Sequence, residues 1–443
     1  MNDLLAILLP AVAMGLGWGI RGQFGHETGA MVPGALVGLA LGVVSVRNPT
    51  TAQALRLAAV AALACSLGGV MTYGQTLGLV HDQPRSPTFA WGLLGVAIKG
   101  GAWIGLTAVF IGVAGSGVRC RPLEVALLLL GLAVVAAVGV RLLNRPHNPP
   151  DALPLIYFSK RFDARPRPEF WGGLWLALLV LLAYLWFMRA NRFAVVLGCW
   201  GILGGAAGFV LGECLQAWGV HSRPFGDACQ RWLDWWKVME VTFGAVAGAA
   251  LGLGWRRLEP GAAPIATPAP GLPLALELVL LILWMGWLIA AEVDYAPAAS
   301  IWELSFVAVA LPIVACLSGR LSPAFVVLPL LVWVSGDNVV QHWVGRHRLV
   351  SSPVAWTGLS LAFLAACAAA YCGVRGEAPA RTWLVLTAWI QTALTLLWAF
   401  GTRAMLEPIG ALSRLLAAGS ALAVESAFVL IAILLTILAH LPK

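Results

Sequence analysis

Charge is what this chain has least of. Only 11% of its 443 residues are Asp, Glu, Lys or Arg, less than half the roughly 25% of a soluble domain, while 60% are hydrophobic and the mean hydropathy is +0.86. No stretch is long and polar enough to form a soluble domain. GxSxG, HExxH, Walker A and CxxC patterns are also missing, which removes the familiar hydrolase, zinc, nucleotide and redox readings. ATP-driven transport by this chain alone is therefore not expected. The eight cysteines have no zinc-like spacing, and no span shows the Arg-every-third-residue run of a voltage sensor. The net charge is +8, but the basic residues are scattered through short loops and form no stripe suited to nucleic acid. No cofactor, metal or nucleic-acid partner is expected.

What is present is apolar sequence. Fourteen segments approach the ~20 residues that cross a bilayer as helix, at about 3–20, 28–46, 54–80, 89–115, 122–143, 170–188, 193–218, 234–255, 272–291, 301–318, 322–340, 354–374, 382–400 and 418–440. They are continuously apolar, whereas barrel strands would alternate. The expected fold is an all-α polytopic bundle of 12 to 14 transmembrane helices. The first segment lacks a Lys/Arg n-region and reads as a retained span, not a signal peptide.

Short loops after every second helix carry Arg47 and Arg56, Arg119 and Arg121, Arg189 and Arg192, Arg256 and Arg257, Arg320, and Arg375 and Arg381. The positive-inside rule puts this face and both termini in the cytoplasm, most simply of a bacterial inner membrane. Lys160, Arg161, Arg165 and Arg167 run the other way, so the orientation rests on the regularity of the short loops. A Pro/Ala-rich stretch at 258–271 reads as a flexible cytoplasmic linker between an eight-helix part (1–257) and a six-helix part (272–443). Within the first part, hairpins at 54–115 and 193–255 superpose by a shift of 138 residues, aligning Gln75 with Glu213 and Lys99 with Lys237. Such a match points to a parallel repeat. Glycines at spacing four (Gly34/Gly38/Gly42 and Gly244/Gly248/Gly252) mark faces where helices approach closely.

The polar residues concentrate at the expected outer side. Six of seven histidines (His26, His81, His147, His221, His342, His347) fall there. The densest motif is Gly17-Trp18-Gly19-Ile20-Arg21-Gly22-Gln23-Phe24-Gly25-His26-Glu27. Its GxGxxG start closes a transmembrane helix, so a dinucleotide site is rejected. Arg21 and Glu27 suit the dipoles of a helix end and a helix start, and the glycines allow a tight or re-entrant turn. The loop 144–169 mixes aromatic and basic residues, as in a solvated loop or a contact with lipid phosphates or an anionic solute. Cys214 and Cys229 flank an outer loop and are a candidate disulfide there.

Ionisable groups inside spans are costly and so face a cavity or a partner. Lys99 falls near the midplane and is expected to meet Glu240 or Glu213; Lys237 shares a helical face with Glu240. As a pair these residues fix packing; as a site they bind an anionic group or carry a proton. The expected substrate-binding or coupling set is Lys99, Glu240, Glu213, Arg21, His26, Glu27, Gln75 and Lys237. The favoured function is a secondary transporter or permease, possible with proton coupling, for a small polar, anionic solute. The alternative is an integral-membrane transferase on a lipid-linked substrate at the outer face. It would use Glu27 or Asp337 as base, Arg21, Arg161 and Arg165 to hold a lipid phosphate, and Trp232, Trp235 and Trp236 as flat surfaces. A scaffold role would leave Lys99 without a task. Membrane lipids and one of these two substrates are the expected partners, with the oligomeric state open.

Overall fold

A computed structural model describes residues 3–71, 73–81, 87–118, 120–161, 165–222, 226, 229, 233–259, 262–265, scattered positions between 273 and 316, and residues 322–346, 350–401 and 419–442. The elements in chain order are α1 (Asp3–Arg21), α2 (Glu27–Val44), α3 (Thr51–Gly68), α4 (Gly74–His81), α5 (Pro87–Gly115), α6 (Pro122–Leu143), α7 (Trp171–Met188), α8 (Arg192–His221) and α9 (Trp235–Leu258). Then follow α10 (Ser322–Arg346), α11 (Ser352–Arg375), α12 (Ala380–Gly401) and α13 (Gly419–His440). Among the described residues no strand exceeds a single bridge between Asn148 and Ala152. All these helices except α4 are long and apolar enough to cross a membrane, twelve in all. The chain is an all-α, multi-pass membrane protein. The segments expected at 272–291 and 301–318 lie mostly outside the described residues.

Both glycine ladders pack helices together. Gly34, Gly38 and Gly42 of α2 lie against Ala61, Ala58 and Ala54 of α3, while Gly244, Gly248 and Gly252 of α9 lie against the Met14, Pro10 and Ala6 carbonyls of α1. The same close approach joins Gly100 of α5 to Gly205 of α8. With these contacts α1, α2, α3, α5, α8 and α9 form the densest part of the bundle. By contrast α6 and α11 turn rows of leucines outward, such as Leu123, Leu127 and Leu130 on α6. In water such a surface would aggregate; in a bilayer it meets lipid tails.

Two expected elements differ. The third segment does not run unbroken from 54 to 80: α3 ends at Gly68 and the chain turns before the short α4. The break falls at a long-range contact, since a side chain at Gly69 would strike the backbone of His26 and Glu27 in the α1–α2 turn. The two hairpins aligned by the 138-residue shift accordingly have different shapes, a broken helix in one and the continuous α8 in the other. Lys99 falls in mid-α5, whereas Lys237 is in the first turn of α9.

The segment 144–170 is the second difference. Instead of lying in solvent it folds back onto α4, α5 and α7, with Tyr157, Phe158, Ser159 and Glu169 buried. Trp91 Nε1 donates to the Tyr157 carbonyl (2.9 Å), the Tyr157 hydroxyl donates to the Arg167 carbonyl (2.9 Å), and Gly172 N donates to Asn144 Oδ1 (2.9 Å). Its extended backbone has no helix to satisfy it, so side chains take that place.

At the opposite end of the bundle the buried Glu259 carboxylate accepts from Ser45 Oγ, Val46 N (3.2 Å) and Arg47 Nε (3.4 Å). Arg47 Nη1 also donates to the carbonyls of Gly115 (2.9 Å) and Ala263 (3.2 Å), and its guanidinium lies over the Phe193 and Trp255 rings. Gln53 Nε2 donates to the Ile265 carbonyl (2.8 Å). Of the expected flexible linker 258–271, Leu258 ends α9, Glu259 is held as above and residues 262–265 are docked; residues 260–261 and 266–271 lie outside the described residues.

Candidate functional site

Lys99 does not meet Glu240 or Glu213 in an ion pair. Its ammonium is 0% exposed and donates to Glu169 Oε1 (2.7 Å) and Thr76 Oγ1 (2.7 Å). Glu169 in turn accepts from Ser159 Oγ (2.8 Å), Phe158 N (3.0 Å) and Trp171 Nε1 (3.2 Å). The expectation failed because the segment 144–170 was read as lying outside the membrane, whereas it carries its acid inward to the lysine. Each hydrogen-bonding position of the carboxylate is engaged within protein, which is the arrangement of a packing lock.

The other expected residues gather elsewhere. α1 ends at Arg21 through Gln23 N and Phe24 N, which donate to the Ile20 (3.2 Å) and Arg21 (2.9 Å) carbonyls. The turn then passes Gly25 at φ +86°, a backbone state that glycine adopts without strain. This turn, with Tyr73, the end of α8, the start of α9 and parts of α10, α12 and α13, encloses an open chamber of about 950 Å³. Arg21, His26, Lys237 and Glu240 of the expected set line it, and His81 brings Glu213 to its wall (Nδ1 to Oε1, 3.3 Å). Lys99 does not line it.

Five other expected residues, Arg165 among them, are absent from the lining. Glu27 opens α2 behind the turn. Gln75 ties α4 to the 144–170 segment, donating to the Arg165 carbonyl (3.0 Å) and accepting from Arg167 N (3.1 Å). Asp337 lies within α10, where its Oδ2 accepts from Gln341 Nε2 (2.8 Å). Arg161 donates to the Pro154 and Leu155 carbonyls of its own segment. Trp235 and Trp236 do line the chamber, while Trp232 lies outside the described residues. Cys214 and Cys229 are free thiols.

Arg21 dominates the chamber floor. It is 1% exposed, and its guanidinium lies 5.2 to 5.3 Å from the ring centres of Trp18, Tyr73 and Trp103. Nη2 donates to the Tyr73 hydroxyl and Nη1 to the His26 carbonyl (3.3 Å), but among the described residues Nε has no hydrogen-bond partner and no carboxylate comes within ion-pair distance. Aromatic faces favour a cation, yet they leave that N–H unsatisfied. Burial holds the Tyr73 phenol up at about 12 despite the Arg21 charge beside it. It therefore stays protonated, accepting from Arg21 and keeping its own O–H as a donor. Beneath, Trp18, Trp103, Phe209 and Phe243 pack edge to face or stacked at 4.4 to 5.1 Å and close the floor.

The remaining charges are mostly matched. Lys237 donates to Glu240 Oε2 (2.7 Å) and to the Gly19 carbonyl (3.0 Å), and Trp236 Nε1 donates to Glu240 Oε1 (3.2 Å). Asp234 caps α9 by accepting from Trp236 N (2.9 Å), and Glu425 Oε1 accepts from Gln23 Nε2 (3.4 Å). Glu425 and Trp398 were missed in the sequence. Glu425 had a signal, an acid inside an apolar span, the same one that singled out Lys99. Trp398 had none, being one tryptophan among 21. No group of three potential metal ligands occurs among the described residues.

Comparison of the chain with family models, with curated proteins and with solved structures returned no match. The reading of the site rests on its chemistry alone.

Proposed function

We propose that the protein is a permease of the bacterial cytoplasmic membrane, taking a small organic anion into the chamber from the outer face. The observation that carries this is Arg21, a buried cation on a chamber floor with one N–H unsatisfied and a phenol donor beside it. A carboxylate or phosphate seated there completes the hydrogen bonding of both groups. Access from one side and closure from the other also suit transport. The chamber is open at the end of the bundle that carries the α1–α2 turn, with Arg21 and the aromatic rings on its floor and the Arg47–Glu259 cluster at the far end of the bundle. Its wall is shared between the densely packed helices α1, α8 and α9 and the later helices α10, α12 and α13. Two five-residue π segments, His342–Arg346 and Leu397–Gly401, border it; such irregular turns recur at functional sites. Rocking one group of helices against the other would expose the site alternately.

The test is uptake of radiolabelled carboxylates and phosphate esters by purified protein in liposomes, with and without a pH gradient. Saturable uptake that Arg21→Gln abolishes is the expected result. A well-folded wild type that moves none of them sinks the reading.

His81 supports a second reading. Its Nδ1 faces Glu213 (3.3 Å) at the chamber wall, the arrangement by which a carboxylate orients a histidine for general base catalysis. An integral-membrane transferase would use His81 in the role first given to Glu27 or Asp337. Product formation from a lipid-linked donor, lost in His81→Gln, would favour it over transport.

A further inference from the structure

A site for a bare anion needs far less room than this chamber offers, and what lies beyond Arg21 is not basic. Gln216 of α8 lines it at 4% exposure, and its buried side-chain Oε1 has no hydrogen-bond partner. Trp235 of α9 lines it at 7% exposure with its indole N–H unpartnered. Buried polar groups left in this way are costly, and a ligand that satisfies them gains selectivity over one that cannot. One side chain offers both donor and acceptor, the other a donor. The second cation, Lys237, is already neutralised by Glu240, and the acids Asp234 and Glu425 also line the wall. Those acids disfavour a polyanion but accept hydrogen bonds from hydroxyl groups.

We infer that the ligand is a hydroxylated organic anion, a sugar acid or polyol phosphate, with its single anionic group at Arg21 and its hydroxyl groups at Gln216 and Trp235. This rests on the reading of Arg21 as the anion-binding group. The same chemistry occurs in a free sugar phosphate and in the polyol phosphate headgroup of a lipid, so the source is left to the test. The half-exposed ring of Trp236, fixed by its bond to Glu240, offers the carbon skeleton a flat apolar face.

Calorimetric titration of the purified full chain with matched pairs tests the inference: glucose 6-phosphate against inorganic phosphate, and gluconate against acetate. The hydroxylated member is expected to bind at least about tenfold tighter, the factor that roughly one satisfied hydrogen bond contributes. Trp235→Phe removes the N–H together with the pyrrole ring but keeps an aromatic side chain, and Gln216→Met keeps the length of the side chain, so both variants are expected to fold. Each should reduce the ratio below about threefold. Equal affinities within both pairs, no binding of either hydroxylated anion, or a ratio untouched by both variants would overturn the inference. Repeating the titration in nanodiscs of phosphatidylglycerol and of phosphatidylcholine identifies the source: competition by the former alone assigns the headgroup, and its absence assigns the free solute. Selectivity without uptake in liposomes would defeat the permease reading only; Arg21-dependent uptake without selectivity would defeat this inference only.

Discussion

Lys99 and Arg21 are both buried cations, and what surrounds each charge separates their roles. Lys99 is matched by Glu169, so removing the lysine strands a carboxylate in the protein interior. Lys99→Met is expected to destabilise the folded protein by about 3 to 5 kcal/mol, and the double variant Lys99→Met/Glu169→Gln to recover part of that loss in thermal unfolding. Ligand affinity in the folded fraction should not change. Arg21 has the opposite profile, because its loss relieves an unsatisfied donor and should reduce binding far more than stability. His26 adds a pH argument at the same site. It is exposed at the chamber mouth, yet partial enclosure, then the charges of Arg21 and Arg167, lower its pKa from 6.5 to about 4. A histidine whose pKa falls on folding takes its proton more readily when unfolded, so stability declines as the pH drops from 6.5 through 4. Melting temperatures of wild type and His26→Gln should run parallel above pH 7 and converge or cross towards pH 4, the wild type losing more.

Among the elements, the glycine seams carry the strongest expectation. Gly248 of α9 meets the Pro10 carbonyl of α1, and a side chain there must part the two helices. Gly248→Leu should cost more than the roughly 1 to 3 kcal/mol of ordinary overpacking, seen as loss of monodisperse protein in detergent, with Gly248→Ala milder. These seams were legible because spacing four in a span has one geometric meaning. The same holds for the α1 terminus at Arg21 and for the Lys237–Glu240 pair, three residues apart on one helix. What was not legible depended on long-range contact. Nothing local tells that α3 stops at Gly68, since the contact at the break is with the His26–Glu27 backbone. Nor does the composition of 144–169 reveal that Tyr157 and Phe158 are buried, because aromatic residues beside arginines also suit a membrane interface. Glu169 could be paired with Lys99 only once that segment was known to fold inward.

For the whole molecule, the two ends of the bundle have different tasks. The Arg21 end holds the chamber, while at the Arg47 end the buried carboxylate of Glu259 joins the α2–α3 turn to the end of α9. Glu259→Gln weakens each of those charge-assisted bonds. Amide hydrogen exchange should then accelerate in residues 45–50, 259 and 262–263 while the chamber turn at 22–26 keeps its protection. Equal loss at both ends would show global destabilisation instead. Sequence patterning placed arginines at this end through the positive-inside rule, but it treated them as markers of orientation. In the folded chain Arg47 is partly spent on its bond to Glu259.

The aromatic box under Arg21 has an optical consequence. Two of its three rings are indoles, Trp18 and Trp103, each with the guanidinium about 5 Å from its ring centre. The energy of an indole's excited state shifts with the electric field across the ring. An anion arriving at Arg21 would offset that field at both fluorophores together. In a variant whose other tryptophans are replaced, the emission wavelength of this pair would report occupancy of the floor directly, without a label.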